Sequence, residues 1–458
     1  MTVKISKHCT TLCLFLCLLF YCRAVAQTPQ FVSLVAAQPV LAAMQGSLPP
    51  ELKASSPITA AAWEKWVRSQ DKEIRIRVEE GEENTLTNLL RLGVTYTRQP
   101  RIGYEELDRY GHNADVDSIA DKRADDLMRA LAAPHPSPGM LEMRAFLEKK
   151  GFSLKTPEGQ KKIKAYLLAN LARLRDDVIR GRQQAQTNRY QAFKDRGIST
   201  DSNIYPDYTI DLGLRNMMKN GLLQPGSVRR VAILGPGLDF VNKKSGTDFY
   251  PPQTTQPFAV MDSLIRLGLA SPSALEVYTF DISPRVNQHI EQIRKSAAAG
   301  KPYTVQLLSS PSDQWDVTYH SGFLEFWQKL GSQVGKPTTA IPVPEGAEGV
   351  WNRAVSIRPD VVQKVTPVSM NVVFQTLPLP PDKQFDLVIA TNIFVYYGSL
   401  EQALARANIA TMIKPGGFLL TNEALPGTAP SKLADSLKTT VRITPDATDY
   451  MFSYVRQK

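Results

Sequence analysis

Two glycines after a short apolar run are the first residues in this sequence whose spacing could serve chemistry. Val231–Leu234 predicts a buried strand, and Gly235-Pro236-Gly237 follows it directly. Glycines at a strand end allow unusual backbone torsions and let the chain pass close to a ligand. The same pair also occurs in purely structural turns, so this motif alone leaves both interpretations open.

An acidic residue ends the next apolar run along the chain. Asp281 follows Val277–Phe280 directly. In nucleotide-binding α/β sites, a carboxylate at this place accepts hydrogen bonds from ribose hydroxyls. The alternative is a helix N-cap, because Asp is a preferred capping residue and Ser283-Pro284 can also begin the next helix. Both roles remain open for Asp281.

A third motif is longer and more specific than the other two. Phe385–Ala390 predicts a buried strand, and a polar and aromatic segment, residues 391–397, follows it. After a predicted helix, a Lys-Pro-Gly-Gly turn at 414–417 leads into another apolar run, Phe418–Thr421. The order of strand, polar strand end, helix and glycine turn is that of a βαβ unit.

Together these motifs resemble the class I S-adenosylmethionine-dependent methyltransferases. The resemblance covers the C-terminal half, roughly Val228–Lys458. It implies a Rossmann-like, doubly wound α/β fold with S-adenosylmethionine as the cofactor. The segment Asn392–Tyr397 is also similar to the asparagine-plus-aromatic segment of chemotaxis-receptor methyltransferases. Residues 27–200 show no similarity to the helical domain of that family.

The resemblance implies roles at the methionine end of the cofactor. Gly235 and Gly237, with Pro236 between them, would let the loop pass the methionine part. Asn392 would line the methyl-transfer end of the pocket. Asp386, at the start of its strand, would have a structural role.

The resemblance also implies roles at the adenosine end. Asp281 would hold the ribose hydroxyls, and Ile282 would pack on the adenine. Gln375 or Thr376, following a predicted strand at Asn371–Phe374, would lie near the adenine amine. The set of implied cofactor contacts therefore spans four strand ends.

The glycine loop departs from the family pattern. The family has an acidic residue two positions before the first glycine, where this sequence has Ile233, and its third glycine falls at Asp239. A loop, Phe240–Thr255, then precedes the helix, which the family enters almost at once. Asp239 could partly replace the missing acid, because a carboxylate can pair with the cofactor's amino group.

Catalytic residues are hard to identify for this reaction. Methyl transfer requires little beyond holding donor and acceptor in line, with a base only for a poor nucleophile. The candidates for the acceptor side are Tyr205, Tyr208, Tyr396 and Tyr397. Packing or surface roles are the alternative for each of these tyrosines.

The elements that would position these residues alternate after residue 228, which predicts a parallel sheet built from βαβ units. The predicted strands are Val231–Leu234, Val277–Phe280, Asn371–Phe374, Phe385–Ala390 and Phe418–Thr421. The predicted helices are Pro257–Leu267, Arg285–Ala298 and Leu400–Met412. Residues 301–370 do not fit such a unit. We expect them to form an insertion within a methyltransferase domain that spans 201–458.

The first part of the chain has a different pattern. Residues 27–55 are rich in Ala, Pro and Ser and predict a flexible lead-in. Residues 56–200 predict an α-helical domain, because apolar residues recur there at helical spacing and Pro-Gly clusters separate the runs. The predicted fold class is therefore α/β in the C-terminal half, preceded by a mainly α-helical domain.

Residues 1–26 have the pattern of a secretory signal peptide. Lys4 and Lys7 precede a short apolar run, Thr11–Cys22, and an Ala-Val-Ala cleavage pattern stands at 24–26. The run is shorter than the roughly 20 residues of a membrane-spanning helix. We therefore expect an exported protein, periplasmic or secreted. The alternative is a membrane anchor formed by an uncleaved signal.

Composition narrows the chemistry further. All 4 cysteines lie in the signal segment, so the expected mature chain has no disulfide, thiolate metal site or cysteine nucleophile. The histidines show no metal-site spacing, and we expect no metal. The formal net charge is +10, yet no run of like charges or basic stripe with interleaved aromatics is present. No nucleic-acid partner is therefore expected.

Two functions remain open on the sequence. One is a methyltransferase with an unknown small-molecule or protein acceptor. The other is a non-catalytic exported binding or scaffold protein that retains the fold. Export and the altered glycine loop favour the second, since S-adenosylmethionine is made in the cytoplasm. A nicotinamide-dependent oxidoreductase is a weaker alternative, because Phe240 stands where the dinucleotide fingerprint has its third glycine.

Overall fold

The computed structural model describes residues 28–55, 57–109, 114–185, 197–241, 246–309, 319–347, 349–425, 427, 430–445 and 447–458. The predicted signal peptide, residues 1–26, lies outside this range. No helix among the described residues is both long enough and apolar enough to cross a membrane. The chain has an α/β structure, in which a mainly helical first part precedes a second part built on a mixed sheet.

The first part begins with a short strand, β1 (Gln30–Phe31), and continues through seven described helices. These are α1 (Leu34–Ala43), α2 (Pro50–Ala54), α3 (Ala60–Leu92), α4 (Tyr104–Arg109), α5 (Ala114–Ala132), α6 (Pro138–Lys149) and α7 (Pro157–Ala185). The long helix α3 begins after its N-cap, Thr59, whose side chain accepts a hydrogen bond from the Ala62 amide, and it ends at Gly93. Leucines of α3, α5 and α7 meet in one buried core.

The second part contains the remaining described elements. Its helices are α8 (Ile204–Lys219), α9 (Gln256–Arg266), α10 (Pro284–Ala298), α11 (Ser321–Lys329), α12 (Pro359–Val362) and α13 (Ser399–Met412). Its strands are β2 (Arg230–Leu234), β3 (Glu276–Asp281), β4 (Tyr303–Ser309), β5 (Gly335–Thr338), β6 (Trp351–Ile357), β7 (Val365–Ser369), β8 (Gln375–Thr376), β9 (Phe385–Ala390), β10 (Ile413–Thr421), β11 (Leu433–Arg442) and β12 (Thr448–Arg456). Seven of these strands form the central sheet, in the order β11-β12-β10-β9-β2-β3-β7.

The direction of strand addition reverses at β2. The chain runs outward from β2 to β3 and β7, then returns to the other side of β2 and adds β9 and β10, all in parallel. β12 and β11 complete that side as antiparallel strands. The register aligns Leu234 with Phe280 of β3 and Ala390 of β9, so three carboxyl ends lie side by side. Open α/β sheets bind ligands in the crevice at such a reversal.

Four of the five predicted strands are confirmed, although β10 begins earlier than predicted. The fifth is wrong. Asn371–Phe374 is not a strand but a turn, in which the Asn371 side chain accepts a hydrogen bond from the Val373 amide. The strand at this place in the sheet is β7, Val365–Ser369, which pairs with β3. Its Pro367 is tolerated because β7 is the edge strand.

The predicted helices of the second part are confirmed to within a residue at each end. Within the predicted insertion at 301–370, β4, β6 and β5 form a separate three-stranded antiparallel sheet, and α11 lies between β4 and β5 along the chain. β7 belongs instead to the central sheet. The inserted part is therefore shorter than predicted and ends before β7, because an insertion cannot contain a strand of the central sheet.

The segment 27–55, which the sequence predicts as flexible, is folded over residues 28–55. β1 pairs antiparallel with β8, and α1 packs on α13. The indole nitrogen of Trp63 donates a hydrogen bond to the Val32 carbonyl at 2.8 Å. Val40 and Leu52 are buried in a core shared with the central sheet. The segment is ordered because its apolar residues find partners far along the chain.

Candidate functional site

A cleft opens at the carboxyl edge of the central sheet, where the strand order reverses. Its floor is formed by the ends of β2, β3 and β9, and the turn Phe394–Tyr396 borders it. Residues 198–203 and Val78 of α3 form the facing wall. The cleft encloses about 820 Å³ of space between atoms, part of which is open to solvent. Both parts of the chain therefore contribute to this cleft.

Most of the site residues that were predicted from the sequence lie at this cleft. Those that line it are Gly235, Gly237, Asp281, Ile282, Asn392, Tyr396 and Tyr397. Pro236 lies between two lining glycines without lining the cleft itself. Asp239, Gln375, Tyr205 and Tyr208 are likewise absent from its lining. The parallel strands bring the first group together because their carboxyl ends share one edge.

The two glycines adopt backbone torsions that other residues avoid. The φ angles of Gly235 and Gly237 are 59° and 65°. A Cβ on Gly237 would lie 2.6 Å from the Thr200 carbonyl oxygen, and one on Gly235 would lie 2.4 Å from Cδ1 of Ile393. The turn therefore requires glycine both for its torsions and for the close approach of neighbouring chain.

Asp281 lies at the end of β3 and is 7% exposed. One carboxylate oxygen accepts a hydrogen bond from the Ser283 amide at 2.8 Å. The N-cap of α10 is Ser283, whose hydroxyl accepts a hydrogen bond from the Val286 amide. Burial and, to a smaller extent, the nearby Glu82 raise the pKa of Asp281 to about 7, against the opposing effect of the Ser283 and Gly237 backbone amides. Ser283 is the N-cap of α10, so capping this helix is not the role of Asp281.

Asn392 has a strained backbone at the end of β9. Its φ of 57° is the only positive value among the described residues other than glycine. Asn422 holds it in place, since the Asn422 side chain accepts from the Asn392 amide and donates to the Asn392 side-chain oxygen, each at 2.8 Å. Strained backbone of this kind concentrates at functional sites.

Asp239 lies outside the cleft, which corrects the prediction that it pairs with the cofactor's amino group. Its carboxylate accepts hydrogen bonds from the Tyr250 hydroxyl at 2.7 Å and the Gln253 amide at 3.1 Å. Burial raises its pKa to about 6. Asp239 borders a smaller neighbouring cavity instead, one that shares Asn203 with the cleft. Its side chain is directed there by its partners in the following loop.

Three other predicted site residues are held away from the cleft by hydrogen bonds or packing. Gln375 lies in β8, and its side-chain oxygen accepts a hydrogen bond from the Asn371 amide. The Tyr205 hydroxyl is 2.9 Å from the Tyr319 hydroxyl. Tyr208 packs on two phenylalanines of α11. Because β7 rather than 371–374 is the strand, the lining residues that follow it are Met370 and Val372 in place of Gln375.

Helix α3 contributes contacts that the sequence did not reveal. The Ser283 hydroxyl donates a hydrogen bond to Glu82 at 2.6 Å, across 201 positions of sequence. Arg77 donates to the Tyr396 carbonyl at 2.9 Å. Val78, one residue along from Arg77, lines the cleft directly. No local pattern marks these residues, because helical spacing of apolar and charged residues is the same for any packed helix.

The loop after the glycine turn, Phe240–Thr255, joins the cleft to the helical part. Phe240 and Val241 are buried in the core of the helical part. Asp248 accepts hydrogen bonds from the Thr95 amide and hydroxyl, at 3.2 and 2.9 Å. The loop that departs from the family pattern therefore anchors the glycine turn on the helical part.

The charges of the cleft have one sign. Among the described lining residues, the charged side chains are Asp201 and Asp281, and Lys, Arg and His are absent. No group of three or more metal-ligating side chains occurs in the described part of the chain. A cleft with two acidic side chains and a lining of both polar and apolar residues suits a ligand that carries hydroxyls and positive charge.

No family model and no curated protein matches this chain. Among solved structures it is similar to the N-methyltransferase NodS from Bradyrhizobium japonicum WM9, at 10% identity over 55% of this chain and 99% of that chain, with a TM-score of 0.24. It is also similar to the magnesium protoporphyrin IX methyltransferase from Synechocystis PCC 6803 with bound S-adenosylmethionine, at 13% identity over 62% and 97%, with a TM-score of 0.25. At these identities and scores, no residue role is carried over to this chain.

Proposed function

We propose that the C-terminal half is a Rossmann-like S-adenosylmethionine-dependent methyltransferase whose cofactor binds in the cleft. The observation that carries the proposal is the position of Asp281. Asp281 is the last residue of β3, the strand next to β2, and it borders the cleft at the point where the strand order reverses. Nucleosides bind at this point of doubly wound sheets, with a carboxylate on the ribose.

The residues of the cleft fit the chemistry of this cofactor. S-adenosylmethionine carries a positive sulfonium and a positive ammonium, and the cleft offers two acidic side chains, those of Asp201 and Asp281. Ile282 and Met370 offer apolar surface beside the carboxyl end of β3 for the adenine. The cofactor would supply an already activated methyl group, so the protein's part is to align it with an acceptor and to exclude water.

The methyl end of the cofactor would face the end of β9. Asn392, Tyr396 and Tyr397 border the cleft there. The acceptor is a small molecule or a protein, and the similarity of this segment to chemotaxis-receptor methyltransferases supports its role on the acceptor side. The strained backbone of Asn392 fixes where its amide group lies relative to the strand end.

The nicotinamide alternative is disfavoured at the glycine turn. Phe240, at the place of the third fingerprint glycine, is buried in the helical core. The second candidate that remains is a non-catalytic binding or scaffold protein, which the anchoring of the glycine loop on the helical part favours.

Calorimetric titration distinguishes the two candidates. We expect saturable binding of both S-adenosylmethionine and S-adenosylhomocysteine to the purified protein, because both share the adenosine and amino-acid parts that the cleft fits. NAD serves as the control ligand and is expected not to bind. If neither S-adenosylmethionine nor S-adenosylhomocysteine gives a binding heat at millimolar concentration, the methyltransferase proposal is contradicted and the scaffold candidate is supported.

We also propose that the protein is exported and that Gln27 becomes its N-terminus. The support is the signal pattern of residues 1–26. Intact-mass measurement of the protein from its native host is expected to give the mass of residues 27–458. A mass that includes residues 1–26 would support the membrane-anchored alternative instead.

A further inference from the structure

One of the two acidic residues in the described lining of the cleft has no role in the proposed function. The class resemblance implies an acid near the glycine turn for the cofactor's amino group, yet the two positions that the sequence offers do not supply it. Ile233 is apolar and fully buried within the sheet. Asp239 is held in the neighbouring cavity by Tyr250 and Gln253. The remaining acid of the described lining is Asp201.

Asp201 lies directly beside the glycine turn. The Leu238 amide donates to the Thr200 carbonyl at 2.8 Å, and the Ser202 amide donates to the Leu238 carbonyl at 3.0 Å. A Cβ on Gly237 would lie 3.5 Å from the carbonyl carbon of Asp201. These bonds fix residue 201 against the turn that would face the methionine part of the cofactor.

The helical part orients this side chain. The Thr85 hydroxyl of α3 donates to one carboxylate oxygen of Asp201 at 2.6 Å, and the Ser199 hydroxyl is 3.3 Å from the other. Asp201 is only partly buried. A carboxylate offers about four acceptor positions, so the hydroxyl donors do not by themselves exclude an ammonium.

We propose that Asp201, oriented by Thr85, binds the α-ammonium group of the cofactor's amino-acid part. This inference rests on the proposed function. The amino group is then recognised by the segment that joins the two parts of the chain, in place of an acid in the glycine loop. An ammonium on a half-buried carboxylate forms a charge-assisted hydrogen bond, which is stronger than a neutral one.

The test uses two ligands that differ in the group concerned. S-adenosylhomocysteine carries the amino-acid part, whereas 5′-methylthioadenosine has the same thioether nucleoside without it. Asp201→Asn is expected to lower the affinity for S-adenosylhomocysteine by about tenfold or more and to leave the affinity for 5′-methylthioadenosine unchanged. Thr85→Val, which keeps the acid but removes its donor, is expected to give a smaller loss with the same selectivity.

Asp449→Asn is the matched control. Asp449 is also partly buried and accepts a hydrogen bond from a threonine hydroxyl, that of Thr209 at 2.9 Å, but it does not line the cleft. Its affinities for both ligands are expected to equal those of the unmodified protein. An equal loss of both affinities in Asp201→Asn, or no loss of either, would overturn the inference while the proposed function stands. Failure of both ligands to bind the unmodified protein would overturn the proposed function and this inference with it.

Discussion

Replacing Asp281 with alanine is expected to weaken binding of S-adenosylmethionine and S-adenosylhomocysteine by at least about a hundredfold. Hydrogen bonds to a charged acceptor contribute roughly 1.5–3 kcal/mol each, and two ribose hydroxyls would donate to this carboxylate. Calorimetric titration of the variant with both ligands measures the loss. An unchanged dissociation constant would show that the ribose lies elsewhere.

The pH dependence of binding provides a second readout of the same contact. Burial raises the pKa of Asp281 to about 7, with Glu82 adding to the shift. The ionised carboxylate accepts these hydrogen bonds more strongly than the protonated acid does, so the affinity of the unmodified protein is expected to rise between pH 6 and 8. Asp281→Asn keeps the size of the side chain and removes this titration, and its affinity should lack that rise.

Asp386→Ala is the matched control for Asp281→Ala. Asp386 is buried to the same degree, at 8% exposed, but it lies at the opposite end of the sheet. Its carboxylate accepts from the amides of Arg229 and Arg230, at 2.6 and 2.8 Å. Its loss is expected to lower the thermal midpoint of unfolding without changing the affinity of the folded protein.

Replacing Gly81 with alanine is expected to disrupt the wall of the cleft. Within a helix this change ordinarily stabilises by about 1 kcal/mol. Here a Cβ on Gly81 would lie 1.8 Å from the carbonyl oxygen of Ile198 and 2.4 Å from its carbonyl carbon. Backbone at this distance cannot rotate away, so the clash outweighs the helical gain. Residues 198–201 line the cleft and must shift with it.

We expect Gly81→Ala to lower the affinity for S-adenosylhomocysteine by about tenfold or more, since overpacking costs roughly 1–3 kcal/mol or more. The thermal midpoint of unfolding should also fall. Gly46→Ala is the control, because no atom lies within 4 Å of a Cβ at Gly46. Equal midpoints and affinities for the two variants would mean that α3 does not support the cleft.

The sequence predicted the central strands well because they are buried on both faces. Val231–Leu234 is a continuous apolar run, and Phe385–Ala390 is interrupted only by Asp386 near its start, as expected for strands covered on both sides of a parallel sheet. The prediction failed for Asn371–Phe374, an equally apolar run that forms a turn. Burial there comes from contacts with α3, where Trp66 packs on Phe374, and periodicity cannot distinguish such a run from a strand.

The prediction of a flexible lead-in failed for a related reason. Residues 28–55 are rich in Ala, Pro and Ser, a composition that predicts little order. Its strand β1 depends on β8, and its helix α1 depends on α13. An element that is stable only through distant partners has no local signal strong enough to predict it.

The sequence by itself determined the strands of the sheet and the residues at their carboxyl ends. Gly235, Asp281 and Asn392 each follow a buried strand, and parallel pairing of those strands is enough to bring them to one edge. Only the tertiary structure decided which acids face the cleft. Asp201 borders it and Asp239 does not, because side-chain direction is set by partners such as Thr85 and Tyr250, which lie in segments that no local pattern connects.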